Sequence, residues 1–146
     1  MKNSIIIVLL ILGACATQKV QPVEHIKPAQ VGLLNDNQFR LVKLADDKSY
    51  GYTTANPVKV GGAKEKMGPK NERRFLNALR GPKGEELRYV KAGSCCQFKT
   101  PNGTAGSGML DRYKIFWPGR KDTLSIYINM YDKGPLQIPV GLTADK

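Results

Sequence analysis

The sequence contains few of the residues that form metal centres and nucleophilic catalytic sites. It has one histidine, His25, and three cysteines among 146 residues. A zinc site takes four N, S or O ligands, and a serine or cysteine nucleophile needs a neighbouring base. We interpret His25 as a solvated residue, because it lies in a segment without hydrophobic periodicity. The sequence therefore predicts neither a metal nor a cofactor, and it favours a binding protein over an enzyme.

The sequence also lacks an apolar run long enough to cross a membrane. The run from Ile5 to Leu12 has eight residues, whereas a transmembrane helix needs about 20. It follows Lys2 and leads into Leu12-Gly-Ala-Cys15, which is the layout of a cleaved bacterial signal peptide. Residues 12–15 resemble the lipobox of bacterial lipoproteins, in which cleavage precedes the cysteine and its sulfur is acylated. We therefore expect a signal peptide over residues 1–14 and lipidation of Cys15.

The expected anchor places the protein in the cell envelope. One acyl chain holds a protein on a membrane only marginally, whereas two or more hold it stably. The residue after the cysteine is Ala16 rather than aspartate, which in lipoproteins of this pattern favours transfer to the outer membrane. Residues 16–20 contain no acidic cluster resembling a surface-export signal. The periplasmic face of the outer membrane is the predicted location, with the membrane itself as the partner of the anchor.

Acidic residues are scarce relative to basic ones. The chain has 12 Asp and Glu against 23 Lys and Arg, a formal net charge of +11. The excess is concentrated between Lys59 and Lys99, where eleven basic residues face four acidic ones. This charge indicates a solvated surface or contact with polyanions. In an envelope those partners are lipopolysaccharide phosphates, anionic lipid head groups or acidic wall polymers, and the compartment argues against nucleic acid.

The remaining chain divides into a tether and one domain. Residues 15–37 carry prolines without sustained periodicity and are typical of a tether, whereas residues 38–146 suffice for a single core. The hairpin turn at 118–122 joins two alternating segments. These features predict an α+β two-layer domain with one helix on a mostly antiparallel sheet of four or five strands. Strands are expected at 38–44, 58–60, 87–91, 109–117, 123–131 and 136–140.

One amphipathic helix stands out. Its pattern begins at Pro69 or Asn71 and ends at Gly81-Pro82. Apolar residues at i, i+3 and i+4 form its buried face, namely Phe75, Ala78 and Leu79. Basic residues at matching spacing form an outer stripe that is the predicted polyanion-binding surface, namely Lys70, Arg73, Arg74 and Arg80.

The adjacent residues Cys95 and Cys96 form a possible thiol pair. Neighbouring Cα atoms are about 3.8 Å apart, whereas disulfides usually need roughly 4.4 to 6.8 Å. On a strand the two side chains also point to opposite faces. Buried, unpaired thiols with a structural role are the favoured interpretation. A vicinal disulfide in a strained turn, which would be unusually reducible, remains open, as does pairing with a metal or another chain.

Other segments carry weaker signals. The glycine-rich residues 101–108 lack the lysine of a phosphate loop and read as a flexible connector. The polar side of the last long strand either lines a binding face or covers a sheet packed on one side only; its residues are Tyr127, Asn129 and Tyr131, beside Arg112 and Lys114. No spacing singles out a catalytic pair among Lys91, Glu85, Glu86 and Asp111.

Three segments, residues 68–79, 93–98 and 127–134, together resemble a family of small lipoproteins from flavobacteria and other Bacteroidota. The resemblance covers about residues 46–142. Some members bear the name of a phosphooctonate aldolase, but such enzymes are (β/α) barrels of about 250 residues, so no catalytic residue is carried over. The sequence favours a non-enzymatic, lipid-anchored module that binds another envelope component. The alternative is an envelope enzyme acting on saccharide or phosphate substrates.

Overall fold

The computed structural model of the chain describes residues 31–146. The expected signal peptide (1–14), Cys15 and His25 lie outside the described residues. No helix in the described part is both long and apolar enough to span a membrane. The elements in chain order are β1 (Leu33–Asn35), β2 (Gln38–Phe39), β3 (Val58–Lys59), α1 (Gly68–Ala78), β4 (Leu79–Arg80), β5 (Arg88–Thr104), β6 (Ser107–Phe116), β7 (Leu124–Asn129) and β8 (Thr143–Ala144).

The main sheet has four strands in the order β3-β7-β6-β5. The β5–β6 and β6–β7 pairs are antiparallel, and only β3 runs parallel to its neighbour β7. Two small antiparallel pairs, β1–β2 and β4–β8, complete the strand set. The predicted α+β class, with one helix and a mostly antiparallel sheet, is confirmed.

The β6–β7 hairpin follows from strict alternation in both strands. Tyr113 lies opposite Ile126, and Asp111 lies opposite Ile128. Residues opposite each other in neighbouring strands project to the same face. Ile115, Ile126 and Ile128 are completely buried, each contributing about 1.5 to 3 kcal/mol of hydrophobic stabilisation. This face of the sheet packs towards the helix.

Helix α1 supplies the second layer. Phe75, Leu76 and Ala78 are buried, as the periodicity predicts. The helix ends at Ala78, earlier than expected, because Leu79–Arg80 pairs with Thr143–Ala144 and the backbone N–H of Asp145 donates to the Ala78 carbonyl at 3.0 Å. Leu79 is still buried, but from a strand rather than from the helix.

Four further boundaries differ from the expectations. The strand expected over 87–91 continues to Thr104 and takes in the first part of the segment 101–108 that was expected to be a flexible connector. Strand β1 lies within the stretch expected to be a tether, since Leu33 pairs with Phe39. The strand expected over 38–44 is limited to Gln38–Phe39, and that expected over 136–140 is replaced by a single bridge between Leu44 and Ile138. The prolines at 135 and 139 cannot donate backbone hydrogen bonds, which limits pairing there to one residue.

The sheet has a second face that α1 does not cover, and we call it the open face. Register places Arg112 opposite Tyr127 and Lys114 opposite both Ser125 and Val90. Leu110 lies opposite Cys95 on the same side. Alternation along β6 and β7 places Phe116 and Asn129 on this face as well. Their strand partners Arg88 and Lys59 therefore also lie on the open face.

Candidate functional site

Cys95 and Cys96 form a disulfide with each other, with their Cα atoms 3.7 Å apart. The favoured expectation of buried, unpaired thiols is wrong, since Cys95 is half-buried and Cys96 exposed. The backbone makes the bond possible by leaving strand geometry: Cys96 has φ of 60°, and the strand pairing shifts register between Cys95 and Gln97. This bulge turns both side chains to one side of the strand.

A cleft of about 340 Å³ lies on the open face next to the disulfide. Strand β3 contributes Lys59, and Leu110 and the end of β7 form its floor. Its volume falls at the lower end of the range for small-ligand sites. The residues that give it chemical character are Lys59, Cys96, Phe98, Lys99, Asn129 and Asp132.

Asp132 is the fixed polar centre of this cleft. Its carboxylate accepts hydrogen bonds from Thr100 Oγ1 at 2.6 Å, Asn102 Nδ2 at 2.9 Å and Asn129 Nδ2 at 2.9 Å. Burial opposes ionisation of Asp132, but these three donors and the positive charge of Lys59 together outweigh it and hold the pKa of the carboxyl below its usual value. Asp132 is therefore a hydrogen-bond acceptor that stays ionised at neutral pH.

Asn129 does not lie on an exposed polar surface, contrary to the expectation from alternation. Its side chain is buried, with 2% exposure of the residue. Its Oδ1 accepts the backbone N–H groups of Tyr131 at 2.8 Å and Asp132 at 3.0 Å, while its Nδ2 donates to Asp132. Asn129 thus shapes the turn that follows β7 and positions the carboxylate.

The glycine-rich segment 101–108 is the tip of the β5–β6 hairpin. It supplies Asn102 to Asp132 and closes through a backbone bond from Thr100 to the Gly106 carbonyl at 3.0 Å. Gly108 is needed for a different reason. A Cβ there would lie 2.8 Å from the ring of Tyr131 and 3.0 Å from that of Phe98.

The rings of Phe98 and Tyr131 meet edge to face beside the cleft. Their centroids are 6.0 Å apart and their planes cross at 72°, a favourable arrangement for two aromatic rings. Phe98 lines the cleft, and Tyr131 packs against the ring of Phe98. The two rings therefore give the polar cleft a fixed apolar wall.

The basic side chains of the open face and those of the helix stripe differ in the intramolecular contacts that they make. No carboxylate in the described chain lies within ion-pair distance of the open-face cations Lys59, Arg88, Arg112 and Lys114, or of Lys99, which lines the cleft. In the predicted stripe, Lys70 and Arg73 are exposed. Arg74 instead donates to the Asp36 carbonyl at 2.9 Å, and Arg80 pairs with Asp145. Half of the predicted polyanion surface is thus engaged in intramolecular contacts.

A second polar cluster is buried between α1 and the sheet. Glu72 is completely buried and accepts a hydrogen bond from the Tyr113 hydroxyl at 2.8 Å. Asp111 is paired with Lys91 at 2.6 Å and accepts from the Ser94 hydroxyl. Burial raises the pKa of Glu72 to about 8; the Tyr113 hydrogen bond opposes this shift, and the Asp111 carboxylate adds to it. Neither carboxyl lines the cleft.

Other candidate sites in the described residues are less well formed. A larger groove of about 540 Å³ lies beside β1 and contains Arg74 and Lys133. Polar side chains of this groove already contact other groups of the protein. Lys133 Nζ lies 4.0 Å from Glu65 Oε1, and Asn71 Nδ2 donates to the Gly61 carbonyl at 3.1 Å. No group of three or more His, Cys, Asp or Glu within the described range is placed to hold a metal ion.

The structure brings together residues that the sequence left separate. Asp132, Thr100 and Asn102 escaped notice because no local pattern links the end of β7 with the β5–β6 tip. Residues 68–79, 93–98 and 127–134 meet around β6: the start of α1 approaches Met130, the Ser94 hydroxyl donates to Asp111, and Phe98 packs on Tyr131.

No protein-family model, curated protein or solved structure matches this chain. Its function therefore has to be inferred from the cleft and its surroundings.

Proposed function

We propose that this protein is a lipid-anchored module of the cell envelope whose open sheet face binds an anionic saccharide. The observation that carries the proposal is the cleft lined by Lys59 and Lys99, in which the Asp132 carboxylate and the Phe98 ring lie beside cations that form no direct ion pair. The expected lipidation of Cys15 holds this face close to envelope polymers.

Charge supports an anionic ligand. The cleft cations are continued along the strands by Arg112, Lys114 and Arg88. Aligned cations without acidic partners raise the local concentration of an anion and speed its association. The length of this row favours a polymer with repeated charges over a single small anion.

The uncharged parts of the cleft support a saccharide. Asp132 Oδ2 accepts one hydrogen bond, from Asn129, and keeps acceptor capacity for a ligand hydroxyl. Phe98 and the sulfur of Cys96 offer apolar surface for the C–H face of a sugar ring. Few fixed polar groups set against an apolar wall are the usual composition of a small-molecule site.

The same features favour binding over catalysis. A general acid or base works best when its pKa lies near the working pH. The pKa of Asp132 is lowered, away from neutral pH. Glu72, whose pKa does lie near neutral pH, is buried on the opposite side of the sheet.

The proposal is tested by binding of polygalacturonate, with neutral dextran and dextran sulfate as comparison polymers. The chain is expressed from residue 16 onward, which retains every described residue. Lys59→Gln/Lys99→Gln should weaken polygalacturonate binding by about tenfold or more, equivalent to about 1.4 kcal/mol. The matched control Lys70→Gln/Lys83→Gln removes the same charge from exposed residues that do not line the cleft, with Lys70 on the helix at the other face of the sheet, and should change binding by less than about twofold.

Two results would contradict this function. The first is equal loss of binding in the cleft variant and in the control, which would indicate an effect of net charge alone. The second is equal affinity for polygalacturonate and dextran sulfate, combined with loss of binding of both polymers at high salt. The Debye length falls from about 10 Å at 0.1 M salt to about 3 Å at 1 M. That behaviour is expected of non-specific charge attraction.

A further inference from the structure

The two cysteines of the disulfide differ in their exposure to solvent. Cys96 is exposed and lines the cleft, whereas Cys95 is half-buried opposite Leu110. Thiol–disulfide exchange requires a thiolate to reach one sulfur of the bond. The exposed sulfur of Cys96 is therefore the point of attack for a reagent approaching the open face.

The disulfide also holds the backbone of β5 away from strand geometry. Cys96 has φ of 60°, a left-handed conformation that is unfavourable for an L-residue with a side chain. The pairing with β6 is interrupted between Cys95 and Gln97 at this point. Once the sulfurs are separated, an extended strand would send the two side chains to opposite faces, and Cys96 would leave the cleft.

We propose that Cys95–Cys96 is a site of reversible thiol–disulfide exchange with a protein dithiol, and that reduction removes one wall of the cleft. The gating of the cleft rests on the function proposed above, whereas the exchange reaction does not. The co-reactant is a protein with two neighbouring thiols, because the second thiol can resolve the mixed disulfide.

The exchange proceeds in two balanced steps. A thiolate of the partner attacks Cys96 Sγ, a mixed disulfide forms, and Cys95 leaves as a thiolate. The partner's second thiolate then attacks the partner sulfur that is bonded to Cys96, and Cys96 leaves as a thiolate. Both cysteines take up protons, so two electrons and two protons pass to this chain while the partner dithiol becomes a disulfide.

The exchange is tested by alkylation without denaturant, followed by mass spectrometry of the chain from residue 16. After treatment with a thioredoxin-type dithiol, the intact protein should gain two hydrogens and both cysteines should become alkylated. A partner whose second cysteine is replaced by serine should be captured on Cys96. Resistance to dithiol in the native chain, when the urea-unfolded chain is reduced under the same conditions, would overturn the proposal. Capture on Cys95 would overturn the assigned point of attack.

Gating is tested with polygalacturonate and with amide hydrogen exchange over residues 93–98. The reduced chain and the Cys95→Ser/Cys96→Ser variant should both bind the polymer about tenfold more weakly than the oxidised chain, and their amides in this segment should exchange faster. Equal affinity of the oxidised and reduced chains would overturn the gating. If the oxidised chain binds no polymer while alkylation proceeds as expected, the proposed function and the gating fail and the exchange stands.

Discussion

Replacing Glu72 with glutamine should remove most of the pH dependence of stability between pH 5 and 8. Glu72 is completely buried, and its Oε1 has no hydrogen-bond partner in the described structure although the Asp111 carboxylate lies beside it. If Oε1 carries a proton, it can donate a hydrogen bond to the Asp111 carboxylate, and the buried oxygen is no longer without a partner. A glutamine keeps an oxygen for the Tyr113 hydroxyl and places an N–H group where the proton would be.

The sign of the effect follows from the raised pKa. Burial holds the pKa of Glu72 at about 8 in the folded chain, above its ordinary value of 4.5. The stabilisation from Glu72 is therefore fully present below pH 4.5 and is lost as the pH rises towards 8. Within this window the slope is about 1.4 kcal/mol per pH unit. The total approaches about 5 kcal/mol, a large part of the 5 to 15 kcal/mol typical of a folded domain.

The assay is urea unfolding of the wild-type and Glu72→Gln chains at half-unit steps from pH 5 to 8.5. At pH 5 the two free energies of unfolding should agree within about 1 kcal/mol, because glutamine resembles the neutral acid. At pH 8 the variant should be more stable by several kcal/mol. Parallel curves for the two proteins would refute the reasoning, since they would show that Glu72 is ionised in the folded chain throughout the range.

Three further predictions concern single sites. Gly108→Ala should destabilise the domain by about 1 to 3 kcal/mol in urea unfolding, because its Cβ meets the rings of Tyr131 and Phe98; Gly32→Ala, which meets nothing within 4 Å, should change stability by less than about 0.5 kcal/mol, and equal effects would contradict the packing argument. Asp132→Asn should cost about 1 to 3 kcal/mol at pH 7, because it places an amide donor among three donors. Since the lowered pKa of Asp132 gives stability that is present above pH 3.8 and lost on further acidification, this cost should shrink below pH 4; a cost independent of pH would count against an ionised Asp132. Cys15→Ser should abolish metabolic labelling by a fatty acid, and persistent labelling would rule out the expected anchor.

Local periodicity predicted the elements that satisfy it on their own. The β6–β7 hairpin follows from the alternation that buries Tyr113, Ile126 and Ile128. Helix α1 follows from the spacing of Phe75 and Ala78. In these segments each residue's local preference and its place in the core agree, so the pattern alone is sufficient.

The parts that the sequence left undetermined depend on contacts between distant segments. The helix end could not be predicted from its own residues, since Leu79–Arg80 is drawn into a strand by Thr143–Ala144. Glu72 lies on the apolar face at i−3 from Phe75, so its burial had a periodic signal that the charge concealed. The acidic centre at Asp132 had no such signal, because its donors come from another hairpin.

The bond between the adjacent cysteines was left open for a related reason. Distance and strand alternation disfavoured it. The separation of adjacent Cα atoms is the same in any trans peptide and is 3.7 Å here, so only the alternation argument assumes regular strand geometry. The backbone at Cys96 departs from that geometry, with φ of 60°. No propensity argument places a cysteine in this conformation, so the bulge is visible only in the folded chain.

The most direct test of the account is a chemical-shift map of the isotope-labelled chain from residue 16 during titration with oligogalacturonate. If the cleft and the open face form the binding surface, the perturbed amides should cluster at Lys59, Lys99, Arg112 and Asp132, and Lys70 and Arg73 on the helix should be unaffected. Perturbations confined to the helix stripe would show that the ligand uses the other face. Absence of any perturbation at saturating oligomer would contradict the binding function itself.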